Sequence, residues 1–377
     1  MRIGIDASNL RAGGGITHLI ELLQKLPFIK CDITSITVWA GAKTATQLPD
    51  FQFLEIVREP ILDMPLPFRL FWQTRIFPKL AKNKCDILFT PGGVCVVKDI
   101  PFVTMSQNLL PFQLSEMRRF GFSWNFVRLF LLREAQKRSF SNADGIIFLT
   151  KFAQSTVIKE LDHIKGQTVI IPHGINPSFI MPPREQQPIE KFTNEKPFRI
   201  LYVSIVNFYK HQWNVATAVA RLRQAGLPVV LDLVGPAYLP ALNKLKSLLK
   251  RIDPKEEIIR YHGPVPYGDL PNWYKMTDSF VFASSCENLP IILLEAMASG
   301  LPIASSDRGP MSEILGDSGV YFNPESSDNI EKALSTIIID YKLRDFCARS
   351  AFSIAQNFSW ERCASDTFSF INQVASR

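Results

Sequence analysis

The chain is 377 residues long, 46% hydrophobic and 20% charged, with a formal net charge of +7. That length exceeds what one core normally serves, so two domains are expected, and the composition argues against extended disorder. No apolar run approaches the roughly 18 to 20 residues of a membrane-spanning helix. The six cysteines (Cys31, Cys85, Cys95, Cys286, Cys347, Cys363) form no Cys-x-x-Cys pair, which speaks for reduced thiols rather than a disulfide framework or a zinc site.

The opening stretch, Met1-Arg-Ile-Gly-Ile-Asp6, is polar where a secretory signal would carry its apolar core, so the expectation is a cytoplasmic protein. Residues 1–184 hold 22 Lys and Arg against 14 Asp and Glu, whereas residues 185–377 hold 20 against 21. The basic excess belongs to the first half and suits an acidic partner there: a phosphorylated substrate, an anionic bilayer or nucleic acid.

Short runs rich in Val, Ile and Phe occur at 2–7, 33–40, 86–90, 102–106, 145–150 and 168–172, separated by segments of helical length. Apolar strands without alternation fit a parallel sheet covered on both faces. Gly13-Gly14-Gly15 follows the first run, and such a turn lets backbone approach a phosphate or an acceptor closely. It is not the G-x-G-x-x-G fingerprint of dinucleotide enzymes. His18, a little further on, reads as a residue on a helix surface. After the fourth run comes Ser106-Gln107-Asn108-Leu-Leu-Pro111, whose amides can hydrogen-bond a sugar hydroxyl or a phosphate but cannot act as a base near neutral pH.

Residues 117–138 interleave Arg and Lys with Phe and Trp. The strip has two readings, a core-facing helix with a solvated basic edge or a surface resting on an anionic membrane. Nucleic acid is set aside because no recognised binding module accompanies the strip.

A polar, proline-containing stretch at about 181–197 then serves as a linker, and a second series of runs follows at 198–204, 229–235, 258–263, 279–284, 302–305 and 319–322. Two successive βα series give an α/β protein of two doubly wound domains, 1–180 and 198–359, with ligands expected in the cleft beyond the strand ends. Lys210 follows the first strand of this series and is placed to neutralise a departing diphosphate.

The segment after the fourth run, Ser284-Ser-Cys-Glu287-Asn288-Leu289-Pro290-Ile291-Ile-Leu-Leu-Glu295, is the richest in chemistry. Pro290 suits the start of a helix and Gly300 its end. The amides of such a helix N-terminus receive a diphosphate. Glu287 and Glu295, eight residues apart, then read as holders of vicinal hydroxyls. One carboxylate alone would be explained by the helix dipole, but Glu295 lies among apolar residues and needs a partner. A glycosidase-like acid and base pair is less favoured, because the spacing does not define a separation across a sugar ring. The final segment, from Ser359 as N-cap to about Ala375, reads as a helix.

The segment 287–314 resembles the E-x7-E region of retaining glycosyltransferases of family 4. The likeness extends to Gly13-Gly-Gly-Ile-Thr-His18, Ile171-Pro-His-Gly-Ile175, Leu201-Tyr-Val-Ser204 with Lys210, His262-Gly263, Tyr274 with Asp278, and Phe358-Ser-Trp360. The resemblance implies a GT-B architecture of two Rossmann-like domains, donor mainly on the second and acceptor mainly on the first, with the last helix (360–377) packed back on the first.

By resemblance, Glu295 would bind the nucleotide ribose and Glu287 a hydroxyl of the donor sugar. The backbone of Asn288, Leu289, Pro290 and Ile291 would lie against sugar and diphosphate, with Gly14 and Gly15 beside the donor. The reaction would retain configuration and need neither metal nor cofactor. The partners implied are a nucleoside-diphosphate sugar and a glycan or lipid-linked glycan acceptor, with the enzyme cytoplasmic or peripheral on the membrane's inner face. Two positions depart from the pattern. Ser204 and Ile205 stand where relatives carry an Arg ahead of the Lys, and Gln107-Asn108 replaces His-Asp. Contacts to the acceptor or sugar are therefore expected from Asn108, Gln107 and His173, with Asp6 or His173 the only bases on offer. A sugar-nucleotide epimerase of the same architecture and a non-catalytic sugar-binding scaffold remain as alternatives.

Overall fold

The computed structural model describes residues 1–10, 14–26 and 33–377; Gly13 and Cys31 lie outside the described residues. The chain divides into two compact units, one of Met1–Met117, Phe122–Gly174 and Ser359–Arg377, the other of Arg118–Gly121 and Ile175–Phe358.

The first unit holds β1 (Arg2–Asp6), β2 (Ser35–Ala40), β3 (Leu54–Arg58), β4 (Ile87–Thr90), β5 (Phe102–Met105), β6 (Gly145–Phe148) and β7 (Gln167–Ile170). They form one parallel sheet in the order β3-β2-β1-β4-β5-β6-β7. Strands β4, β5 and β6 are buried at every residue, as a sheet covered on both faces requires. Strand β3 is absent from the apolar runs of the sequence. It is the edge strand, and Leu54-Glu-Ile-Val-Arg58 is mixed because only part of it is covered. The run at 145–150 ends early as a strand because Thr150 turns to cap the helix Lys151–Ile158, accepting a hydrogen bond from the Ala153 amide at 3.0 Å.

The helix Trp360–Ala375 starts at Ser359, whose Oγ accepts from the Arg362 amide at 3.1 Å. Trp360, Cys363, Ala364, Thr367, Phe368, Ile371 and Val374 recur at helical spacing and are all buried. This face packs on the helix Gly14–Lys25 and over β4, β5 and β6. The last helix therefore belongs to the first unit although its sequence follows the second.

The second unit holds β8 (Phe198–Val203), β9 (Val229–Val234), β10 (Ile259–Gly263), β11 (Ser279–Phe282), β12 (Ile303–Ser306) and β13 (Gly319–Phe322), parallel and ordered β10-β9-β8-β11-β12-β13. The winding reverses between β8 and β11. The stretch read as a linker runs along this unit: the Met181 amide donates to the Ala298 carbonyl at 2.9 Å, and fully buried Arg344 donates to Gln186 Oε1 at 3.3 Å and to the Gln187 carbonyl. The division between units falls earlier, after Gly174.

Gly174 is confined by the start of the last helix. A Cβ there would stand 2.1 Å from the Trp360 amide nitrogen and 2.4 Å from the Ser359 carbonyl carbon, both backbone atoms that cannot swing aside. Gly268 has nothing within 4 Å of such a Cβ. Gly174→Ala should therefore lower stability by about 1–3 kcal/mol and Gly268→Ala by less than about 0.5 kcal/mol. Urea midpoints of the two variants check this, and equal midpoints would contradict the packing described.

Candidate functional site

Strands β8 and β11 are neighbours at the reversal of winding, so the loops that leave their carboxyl ends open side by side, the usual place for a ligand in such a sheet. The first loop ends in a tight turn, Phe208–Lys210, in which Asn207 Oδ1 accepts from the Phe208 amide at 2.8 Å. The second loop is stitched to it. The Ser285 amide donates to the Tyr209 carbonyl at 2.8 Å, and Ser285 Oγ lies 2.9 Å from His211 Nε2. Burial, followed by the charges of Arg119, Lys244 and Arg308, brings His211 down to about 4, so the ring is neutral.

These ties bring Lys210 against Glu287, whose Oε1 accepts from the Lys210 ammonium. Both side chains are largely buried. The ammonium also stands 5.1 Å from the Phe282 ring centroid and 5.4 Å from that of Tyr209, within cation–π range. The Lys210 carbonyl accepts from Tyr202 Oη at 2.7 Å, which holds the turn down on β8.

Asn288, Leu289 and Pro290 are buried and lead into the helix Ile291–Ala298, which ends at Gly300 with φ of 63°. Glu295, on the second turn of this helix, is 1% exposed. Its partners are two phenols: Tyr267 Oη donates to Oε1 and Tyr274 Oη to Oε2, each at 3.0 Å. Burial lifts Glu295 to about 7 and the two hydroxyls oppose the rise. Tyr274 stood in the sequence as part of the family pattern. Tyr267 was missed, because a tyrosine in Pro264-Val-Pro-Tyr267-Gly carries no signal until the loop folds over the helix.

The arrangement joins an ammonium, two carboxylates of different character and the first-turn amides of a helix. Such amides and an ammonium attract phosphate, and a carboxylate accepts from hydroxyls. Ser204 Oγ accepts from Gln212 Nε2 at 2.8 Å, and Arg308 lies at the surface 3.3 Å from Asp307.

In the first unit, Gly14 and Gly15 open the helix Gly14–Lys25. A Cβ on Gly15 would come within 2.9 Å of Gln107 Oε1, so the start of this helix lies against the Gln107 side chain. Gln107 Nε2 is 3.3 Å from His18 Nδ1, and Asn108, exposed, accepts from the Leu110 amide at 3.0 Å. His18 is fully buried, not at a helix surface as expected, because its face of the helix turns toward the last helix. His173 is 4% exposed, its ring centroid 4.7 Å from that of His18 and 5.5 Å from that of Trp360. A bound sugar would have to displace neighbours to reach it. Buried Asp6 accepts from the Ser8 amide at 3.0 Å, and burial raises its pKa.

The helix Trp124–Asn142 buries Leu129, Gln136, Ser139, Phe140 and Ser141. Its first half, with Phe122 before it, leaves Phe122, Trp124, Val127, Phe130 and Leu131 exposed next to exposed Arg128. The core-facing reading fits the carboxyl-terminal half of this helix, whereas its amino-terminal half carries apolar side chains into solvent. Among the described residues no helix is long and apolar enough to cross a membrane.

Residues 12–179 match the model for Glycosyltransferase Family 4, and residues 183–353 match that for glycosyl transferases group 1. With two parallel-sheet units of this topology, the chain belongs to the glycosyltransferases of GT-B fold. Over 113 residues it is 34% identical to the O-antigen chain mannosyltransferase B of Escherichia coli, a stretch that makes up 30% of this chain and 30% of that relative. The chain thus spans less than a third of the length of this curated relative. Among solved structures, the sucrose-phosphate synthase of Thermosynechococcus elongatus superposes with a TM-score of 0.75 at 16% identity, covering 100% of this chain and 99% of that one. Anabaena Alr3699/HepE in complex with UDP-glucose gives 0.74 at 17% identity, covering 99% and 100%. At such identities these structures share the fold.

The raised pKa of Glu295 has a consequence for stability. Between pH 4.5 and about 7 the folded chain keeps a proton on Glu295 that the unfolded chain has released, so this group's contribution falls as pH rises through the window. Replacing Glu295 by Gln removes the titration. Urea unfolding of wild type from pH 4.5 to 8 should lose roughly 2–3 kcal/mol more than the same series on Glu295→Gln. Parallel pH profiles would show that the carboxyl is not held protonated.

Proposed function

We propose that the chain is a retaining hexosyltransferase that moves a hexose-type sugar from a nucleoside-diphosphate sugar to a hydroxyl of a glycan or lipid-linked glycan, in the assembly of a cell-surface polysaccharide. The observation that carries this reading is the pairing of Lys210 with Glu287 ahead of the helix Ile291–Ala298, with Glu295 on that helix's second turn.

The diphosphate lies at the first-turn amides of that helix, along the backbone of Asn288 to Ile291. Glu287 accepts from a hydroxyl of the sugar. Glu295 accepts from the ribose, whose hydroxyls replace that of Tyr267, a residue 44% exposed. Lys210, relieved of Glu287 by the sugar, turns to the leaving phosphate as negative charge grows on it.

The bond from the anomeric carbon to the diphosphate oxygen breaks, a bond to the acceptor oxygen forms on the same face, and the acceptor proton passes to the departing diphosphate. No protein base is required, which agrees with Gln107 and Asn108 at the positions expected to touch the acceptor. No metal takes part in the transfer. The mannosyltransferase relative and the UDP-glucose complex of Alr3699/HepE support a hexose carried on a nucleoside diphosphate.

The exposed apolar residues at 122–131, beside basic ones, suit a peripheral position on an anionic cytoplasmic membrane surface, where a lipid-linked acceptor resides. Wild type should sediment with vesicles containing anionic lipid, less so at high salt. The combined variant Phe122→Ser, Trp124→Ser, Leu131→Ser should lose at least half of that binding. Equal sedimentation of the two would remove the membrane assignment.

Donor identity is read from a thermal-shift panel of nucleoside diphosphates and their sugars, since a ligand that binds the folded state raises its melting point. With the donor so found, Glu295→Ala should abolish the shift. Lys210→Ala should retain binding within about tenfold while turnover falls by about a hundredfold or more. Full turnover in both variants would refute the site, and release of an isomerised donor without an acceptor-linked product would mark an epimerase instead.

A further inference from the structure

Three side chains that transfer does not use converge inside the first unit. His18 comes from the helix Gly14–Lys25, His173 from the segment three residues beyond β7, and Cys363 from the first turn of the helix Trp360–Ala375. One ring nitrogen of each histidine and the Cys363 sulfur lie within 4.8 Å of one another. Exposures are 0% for His18, 4% for His173 and 2% for Cys363.

Two nitrogens here lack what buried polar atoms normally have. His18 Nε2 and His173 Nδ1 are both inaccessible and without a hydrogen-bond partner. Neutral core histidines usually place each ring nitrogen against a donor or an acceptor, so two orphaned nitrogens beside one thiol need a reason. Burial keeps both rings uncharged, His173 down to about 3 and His18 well below its ordinary value with the neighbouring His173 adding to the effect. A mutual ion pair therefore does not hold them. Neutral imidazoles with a free lone pair are what a borderline or soft metal ion binds.

We propose that His18, His173 and Cys363 form a structural site for a thiophilic divalent ion of the zinc class, which ties the last helix to the body of the first unit. Ligand atoms around a tetrahedral ion stand about 3.3–3.8 Å apart, given bonds of about 2.0–2.1 Å to nitrogen and 2.3 Å to sulfur. Side-chain rotations of about an ångström close the present spacing to that range. His18 binds through Nε2, since Nδ1 faces Gln107. With the lone pair on Nε2 the proton sits on Nδ1, and a half-turn of the Gln107 amide accepts it through Oε1, the orienting contact that ligand histidines commonly make.

Cys363 gives up its proton as the sulfur–metal bond forms, so one proton leaves for each ion bound. Burial holds the unmetallated thiol at about 12, with the Thr367 hydroxyl opposing, and the ion's own charge overturns that preference. The fourth position is left to water. The proposal does not depend on the transfer reaction and leaves that reaction metal-independent.

The test uses the full chain, stripped with chelator and refolded from urea with either Zn²⁺ or Co²⁺, because so sealed a cluster admits ions slowly once folded. Wild type should retain one Zn²⁺ per chain after gel filtration, and the Co²⁺ form should show a thiolate-to-cobalt charge-transfer band. Cys363→Ser should lose the band and most of the affinity, and His173→Asn should lower retained zinc at least tenfold. Both variants must unfold in urea like metal-free wild type, which separates loss of the ion from loss of the fold. The absence of a charge-transfer band in wild type, or a band and zinc content unchanged in Cys363→Ser, would overturn the proposal.

Discussion

The second unit is organised around one buried ion pair. An ammonium taken from water costs several kcal/mol unless a countercharge and further contacts offset it. Lys210 is offset by Glu287 and by two aromatic faces. Neither residue can leave without stranding the other, so the loop after β8 and the loop after β11 keep each other in place. The order of the strands makes the pair reachable, since only where the winding reverses do two such loops open beside one another. The Ser285 contacts to Tyr209 and His211 then fix the register of the two loops.

Glu295 obeys different physics. Among the described residues its partners are two phenol donors and no cation, and burial outweighs them. A carboxyl kept near its titration point is ready for better donors. Tyr274 is fully buried and belongs to the wall, whereas Tyr267 is nearly half exposed and can yield its place. The first unit shows the same logic in apolar form. Trp360, Phe368 and Ile371 draw the end of the chain back over β4 to β6, and Gly145 gives them room, since a Cβ there would stand 2.8 Å from Phe370.

Much of this was legible in the sequence because parallel strands buried on both faces must be apolar without alternation. The strands inside both sheets announce themselves that way, while β10 and β7, at the edges, carry polar and half-covered residues. Leu54–Arg58, another edge strand, gave no apolar run at all, because its half-covered residues look like any mixed segment. Glu287, Glu295 and Lys210 could be picked out because charge amid apolar sequence asks for a partner. The partners could not: that Glu287 answers Lys210, 77 positions away, depends on strand order. Tyr267 is likewise silent until a loop places it. His18 misled because a histidine on a helix gives no sign of which neighbour its face will meet, and here that neighbour arrives from the far end of the chain.

The ion pair also bears on which ligands the proposed site would accept. A free phosphate that captured Lys210 would leave Glu287 buried without a countercharge, and a free sugar that captured Glu287 would leave Lys210 in the same state. Each would forfeit part of its own binding to that penalty. A ligand that presents hydroxyl and phosphate together, at the spacing of the two side chains, satisfies both at once. Discrimination of this kind arises from the groups left unpaired by the wrong ligand and not from extra contacts to the right one. It also gives Lys210 a route from carboxylate to phosphate within one bound molecule. The ammonium then meets the greatest negative charge when the sugar–phosphate bond is breaking, which is when a fixed cation lowers the barrier most.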